Sequence, residues 1–211
     1  MKYYYNIILL LTIFSFMSIG LGQTDDLTDL TLYRNLNQEG FNSAARDTGD
    51  VISSFASPTS NPMGLAWNGE YLWISGQFSE SIYKVTTLGA VIDSVPNSGN
   101  RGLAWDGEYL WAATTVDDKL YKINVETGEV VDSLDSPCSG SYPNGLTYDG
   151  ELLWVSSYSE EDLCGVNTNT GVKVDSISLP NVYGRGVAWT GTNFWWADQD
   201  NSPYGEGILY E

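Results

Sequence analysis

A ten-residue phrase recurs four times in this chain. It reads GLAWNGEYLW at 64–73, GLAWDGEYLW at 102–111, GLTYDGELLW at 145–154 and GVAWTGTNFW at 186–195. The opening glycines, Gly64, Gly102, Gly145 and Gly186, are spaced 38, 43 and 41 residues apart. Self-similarity at such a period means stacked copies of one supersecondary unit, so it constrains the fold more than any single residue does.

Each unit has the same parts. An apolar word such as LAW is followed by a turn and an apolar aromatic word such as YLWIS. A polar loop then leads to IYKV or LYKI, a second turn, and VIDSV, VVDSL or VKVDSI. All four words are short and rich in β-branched and aromatic residues, which predicts four strands per unit. Asn68-Gly69, Asp106-Gly107 and Asp149-Gly150 read as two-residue type I′ hairpins, with Thr190-Gly191 in the equivalent place. Gly89, Gly128 and Gly171 mark the second turn. Four-stranded antiparallel units of this length are the blades of a β-propeller, so the expected fold is all-β. Trp67, Trp105, Tyr148 and Trp189 on the first strand, and Trp73, Trp111, Trp154 and Trp195 on the second, are expected to bury area between neighbouring blades. Asp93, Asp132 and Asp175 in the outermost strand are expected to blunt an exposed sheet edge.

The stretch VISSF at 51–55 matches the fourth-strand word, whereas the last unit ends at ILYE without one. The expectation is three complete repeats plus one blade split between the N- and C-terminal segments. That makes four blades if the ring closes; otherwise the chain is part of a larger propeller.

Ahead of the repeats, Lys2 precedes the apolar run IILLLTIFSFMSIG and the small-residue stretch Gly20-Leu21-Gly22. This is the order of a secretory signal peptide. The expected organisation is therefore a signal peptide over 1–22, a polar linker or lead over 23–50, and a propeller domain over 51–211. The expected location is secreted, periplasmic or on the cell surface, with no membrane span left after cleavage. In that oxidising setting Cys138 and Cys164 are expected to form a disulfide.

The chain carries 27 acidic against 9 basic residues, a formal net charge of −18, and no histidine. Nucleic acid demands clustered Lys and Arg, so it is not an expected partner. Without histidine, Ser-His-Asp chemistry and the usual zinc sites are excluded. The expected partner is a small molecule, a peptide or a protein.

Candidate site residues fall in the loops. The residue before each opening glycine is Met63, Arg101, Asn144 or Arg185, at the expected channel mouth. Two of the four arginines after the signal segment thus share one structural position, and such a pair can hold a carboxylate, a phosphate or a carbonyl oxygen. Tyr142, Tyr158, Tyr183 and Tyr204 decorate the same loops and suit a stacking rim for a sugar or peptide. The acids Asp117, Asp118, Glu160, Glu161, Asp198 and Asp200 form a candidate cation-binding set, for which calcium is the ion to consider. The segment DQDNSPYGEGIL starts like an EF-hand loop but has Pro203 where glycine is required and Leu209 where the bidentate glutamate belongs.

The words GLAWDGEYLW…LYKINVETGEVVDSL resemble the extracellular bacterial propeller repeats grouped with streptogramin lyase, plant-type glutaminyl cyclotransferase and the lactonase-like propellers. The resemblance covers residues 51–211 and rests on turns and core aromatics, so it implies the blade and leaves the activity open. It implies a histidine and a divalent metal for the lyase mechanism, which this chain cannot supply. It implies a Glu/Asn/Asp calcium set for lactonase-like members, of which Asn144 alone has a counterpart here. The expected function is a non-catalytic ligand- or protein-binding module acting through its loop face, with no cofactor assigned. The alternatives are a lyase or cyclotransferase-like enzyme using loop carboxylates and the arginines, and a structural module of a larger surface protein.

Overall fold

The computed structural model describes residues 51–97, 100–138, 142–159, 161–179, 184–199 and 207–211. The signal and linker segments expected over 1–50 lie outside them. The chain divides into two units, 1–53 and 54–211, and all of the regular structure described falls in the second. Among the described residues, no helix is long and apolar enough to cross a membrane.

Among the described residues fifteen strands make four antiparallel sheets. The first holds β1 (Pro62–Trp67), β2 (Leu72–Gly76), β3 (Ser81–Val85) and β4 (Val91–Pro96) in that order. The second holds β5 (Asn100–Trp105), β6 (Leu110–Thr114), β7 (Lys119–Ile123) and β8 (Val130–Asp135). The third holds β9 (Pro143–Tyr148), β10 (Leu153–Ser157), β11 (Asp162–Val166) and β12 (Lys173–Ser178). The fourth holds β13 (Gly184–Trp189), β14 (Phe194–Gln199) and β15 (Gly207–Tyr210). The four repeat words are the four inner hairpins, as their spacing requires, and the fold is the expected all-β propeller type. The innermost strands pack in succession, β1 beside β5, β5 beside β9 and β9 beside β13.

The fourth sheet differs from expectation. Residues 51–55 form no strand, and β13–β14–β15 has three strands. Phe55 instead lies against the β3–β4 turn, where a Cβ on Gly89 would strike its ring.

The hairpins also differ from the two-residue reading. Trp67 pairs with Leu72 and Trp105 with Leu110, so each loop has four residues. Only the glycine takes positive φ, for example 96° at Gly69 and 102° at Gly107. The preceding Asn or Asp acts through its side chain instead. Asp106 Oδ1 accepts the N–H groups of Glu108 and Tyr109, and Asp149 Oδ1 those of Glu151 and Leu152, so each closes its loop as an Asx turn.

The tryptophans of β2, β6 and β10 occupy equivalent places between sheets: Trp73 and Trp111 are fully buried and Trp154 is 4% exposed. Trp73 joins Leu103 and Ala112 of the second sheet in one cluster, and Trp111 joins Leu146 and Val155 of the third. Each tryptophan therefore faces the following sheet. Lys84 lies over Tyr71 at 4.4 Å and Lys122 over Tyr109 at 4.2 Å, so the YK word lays a cation across the ring of the preceding hairpin. Asp93, Asp132 and Asp175 sit on the outer strands, each with Oδ1 accepting the next residue's N–H at 2.8 Å. Cys138 and Cys164 are bonded, joining the segment before β9 to β11.

The turn acids also bind the core tryptophans. Asp106 Oδ2 accepts the Trp111 indole N–H at 2.7 Å and Asp149 Oδ2 that of Trp154 at 2.6 Å. In the first sheet the turn residue is Asn68, whose second side-chain atom is itself a donor. The buried Trp73 Nε1 is left without a partner. Asn68→Asp is therefore expected to stabilise the domain by about 1.5 kcal/mol, raising the midpoint by about 3–6 °C, read by thermal unfolding at neutral pH.

Burial pushes the Asp149 carboxyl up, but the Leu152 N–H and the Trp154 indole outweigh it and hold it below the usual carboxylate value of 3.8. A carboxylate depressed in the folded state adds stability that is fully present above its unfolded pKa and vanishes as pH falls through the folded value. The melting midpoint is expected to fall as pH drops below about 4, and Asp149→Asn is expected to shrink that acid-limb fall while lowering the midpoint at pH 7.

Candidate functional site

The β2–β3, β6–β7 and β10–β11 loops and the starts of the inner strands enclose a cavity of about 540 Å³. Gln77, Thr115 and Tyr158 come from the loops and Arg101, Asn144 and Arg185 from the inner strands, with Tyr142 at the rim. Asn144 and Arg185 also line a narrower hollow of about 140 Å³ between the inner strands.

Glycines place the two arginines. A Cβ on Gly64 would collide with the Arg101 carbonyl, and one on Gly145 would come within 2.6 Å of the Arg185 carbonyl. Only glycine allows inner strands to approach this closely. A serine completes each clamp. Ser75 Oγ accepts the Gly64 N–H at 3.0 Å and donates to the Arg101 carbonyl at 2.7 Å. Ser156 Oγ accepts the Gly145 N–H at 2.9 Å and donates to the Arg185 carbonyl at 3.5 Å. The second sheet has Ala113 at this position, and the strand it faces carries Asn144 instead of arginine.

The side chains then meet at the mouth. The Arg185 guanidinium carbon lies 4.8 Å from the Tyr158 ring centroid. Burial lowers the Arg101 pKa from its usual value, and the nearby Arg185 charge lowers it further. Arg101 Nε is buried and has no hydrogen-bond partner. Asn144 is buried, and its Nδ2 donates to the Gly184 carbonyl at 3.0 Å, tying β9 to the start of β13. It braces the strand that carries Arg185.

Among the described residues, no acid lines this cavity. Asp117 accepts the Thr114 and Tyr121 hydroxyls, and Asp118 Oδ1 accepts the Tyr142 N–H at 2.8 Å. Among the described residues no three His, Cys, Asp or Glu side chains group to hold a metal. Glu161 is exposed on its loop, and Asp198 lies on β14 opposite Gly184. Glu160, Asp200, Tyr183 and Tyr204 lie outside the described residues.

Gln77 and Thr115 were not singled out from the sequence. Both stand four residues after the second-strand tryptophan, where Tyr158 also stands, so the repeat register marks them as lining positions once the Tyr158 loop is known to face the mouth.

Among the described residues two non-glycine residues adopt positive φ, Asp118 at 56° and Tyr142 at 72°. They are linked by the Asp118 Oδ1 bond to Tyr142 N–H, and the Tyr142 carbonyl accepts the Tyr158 N–H at 3.1 Å. Backbone strain is thus concentrated where one sheet's loop hands a tyrosine to the next sheet's mouth. Asp118→Ala is expected to cost about 1–2 kcal/mol in urea unfolding, from both the lost bond and the poorer left-handed conformation. Asp118→Asn, which retains both features, is expected to stay close to wild type.

No family model and no curated protein matches the sequence. In structure the chain is similar to Kuenenia stuttgartiensis hydrazine synthase, with a TM-score of 0.56 and 18% identity over 74% of this chain. It is similar to Myxococcus xanthus glutaminyl cyclase, with a TM-score of 0.57 and 16% identity over 67% of this chain. It is also similar to a streptogramin B lyase, with a TM-score of 0.50 and 17% identity over 74% of this chain. The matched region spans only 46%, 62% and 56% of those proteins. These likenesses agree with the resemblance read from the repeat words, and they show the propeller fold.

Proposed function

We propose that this is an exported, non-catalytic propeller module that binds a small anionic ligand at its loop face. The anion is a carboxylate or phosphate seated between Arg101 and Arg185. The observation that carries this reading is the charge of the cavity: in a chain of net charge −18, the charged side chains among the described residues lining it are two guanidinium groups. Guanidinium is the group best suited to hold oxyanions in a forked geometry. The buried Arg101 Nε is a donor with nothing to satisfy it in the described structure. Tyr158 and Tyr142 add aromatic surface beside the charge, which favours a ligand carrying a ring, such as an acidic sugar. The cavity volume falls in the range of small-molecule sites.

Acid–base catalysis by the loop acids would need a carboxylate within reach of a bound ligand. The described lining offers tyrosines, amides and a threonine but no carboxylate, because Asp117 and Asp118 are engaged in loop architecture. The disulfide between Cys138 and Cys164 fits an oxidising destination.

A ligand that binds only the folded state raises the unfolding free energy, by about 2.7 kcal/mol at a hundredfold excess over Kd. Galacturonate and malonate are expected to raise the melting midpoint in a saturable way, while galactose leaves it unchanged. Arg101→Gln/Arg185→Gln is expected to abolish both shifts without loss of near-UV circular dichroism. Equal shifts with galactose, or a double variant that still responds, would overturn the reading.

A further inference from the structure

The inter-sheet interface occurs three times within the chain, and each copy has two dissimilar halves. The leading half comprises the opening glycine, an alanine or threonine two residues on, and the second-strand tryptophan. The receiving half comprises the next sheet's alternate residues: Leu103 and Leu110, then Leu146 and Leu153, then Val187 and Phe194. Each of the three junctions buries its tryptophan.

A fourth leading half and a further receiving half remain, at opposite ends of the row. At the β13–β14 end, Gly186 and Ala188 are exposed and Trp195 is half-buried. Among the described residues nothing lies within 4 Å of a Cβ placed on Gly186, whereas Gly64, Gly102 and Gly145 each meet a carbonyl of the next sheet. At the β1–β2 end, Leu65 is 63% exposed and Trp67 49% exposed, while the equivalent Leu103 and Leu146 are 2% and 5% exposed. Beside Leu65 and Leu72 an apolar groove of about 340 Å³, edged by Phe55, stands where a preceding sheet's tryptophan would insert. The two faces complement each other in the terms the chain itself has used three times.

Closing the row onto itself would require rotation at all three existing junctions, and each is fixed by a glycine pressed on a carbonyl. Packed interfaces of this kind do not deform continuously. Neither face is covered by the described residues. We propose that a second copy of this chain docks head to tail, with the Gly186–Ala188–Trp195 face of one copy packing on the Leu65–Trp67–Leu72 face of the other. The partner's Trp195 enters the groove, and Gly186 meets the backbone at Met63–Leu65 as Gly145 meets Arg185 and Val187. Such an interface is heterologous, and two copies related by a twofold axis use both faces of each.

Light scattering after size exclusion, over a concentration series, is expected to give twice the chain mass, dissociating on dilution. Leu65→Arg and Ala188→Arg place a charge on one face each, at exposed positions that leave the fold intact by near-UV circular dichroism. Each is expected to give monomer alone. A wild-type monomer at every concentration overturns the proposal. So does a dimer that survives either variant, since the contact then lies elsewhere.

Discussion

Everything that gives this molecule a usable face depends on a glycine pressed against the carbonyl of the next sheet. Gly64, Gly102 and Gly145 take the same place against Arg101, Asn144 and Arg185, and any Cβ there would collide with backbone. The contact sets how closely the inner strands approach, and so how deeply the tryptophans behind them are buried. It also has a chemical consequence, because the residue whose carbonyl is touched is the residue whose side chain reaches the mouth. One backbone approach, repeated, both seals the core and points three polar side chains at a common cavity. The serine bridges at Ser75 and Ser156 strengthen it at the two junctions that position arginine.

Division of labour within the hairpin follows from the same economy of residues. The turn acid closes its loop with one oxygen and neutralises a buried indole donor with the other. This removes the unpaired polar group that a tryptophan otherwise brings into a core. Where the turn residue is Asn68 the loop closes equally well, but the indole goes unpaired. The repeat thus tolerates a locally adequate residue at a cost borne by a side chain five positions away.

The strands, their order and the inter-sheet tryptophans were legible because they are local patterns with a fixed period. Arg101 and Arg185 were legible for a related reason: a repeat aligns positions, so two rare cations at one register stand out against an acidic chain. The departures share one origin. VISSF matched the fourth-strand word, yet strand pairing is decided by what lies alongside, and Phe55 lies against the Gly89 turn. Asp-Gly suggested a type I′ turn, but the aspartate side chain does the closing, which a dipeptide rule does not register. Asp117 and Asp118 read as an exposed acid pair, yet their partners Thr114, Tyr121 and Tyr142 are set by loop geometry. Gln77 and Thr115 carry no chemical signal of their own and become visible only through Tyr158.

The electrostatics of the whole molecule shape what the arginine pair can select. A net charge of −18 repels anions from the surface, although at physiological salt that field decays over about 8 Å. A long polyanion lies against many acidic side chains at once and gathers that repulsion along its length. A small anion reaching the mouth leaves most of it behind and meets two guanidinium groups, one of them partly stripped of water. Inside the cavity screening by salt is weaker than at the surface, so the local attraction dominates. Under the proposed anion-binding function, an acidic body with a cationic mouth would filter by size as well as by charge. Under the same proposal two arginines would suffice in a chain that otherwise carries few cations, because their effect depends on convergence, which the glycine contacts supply.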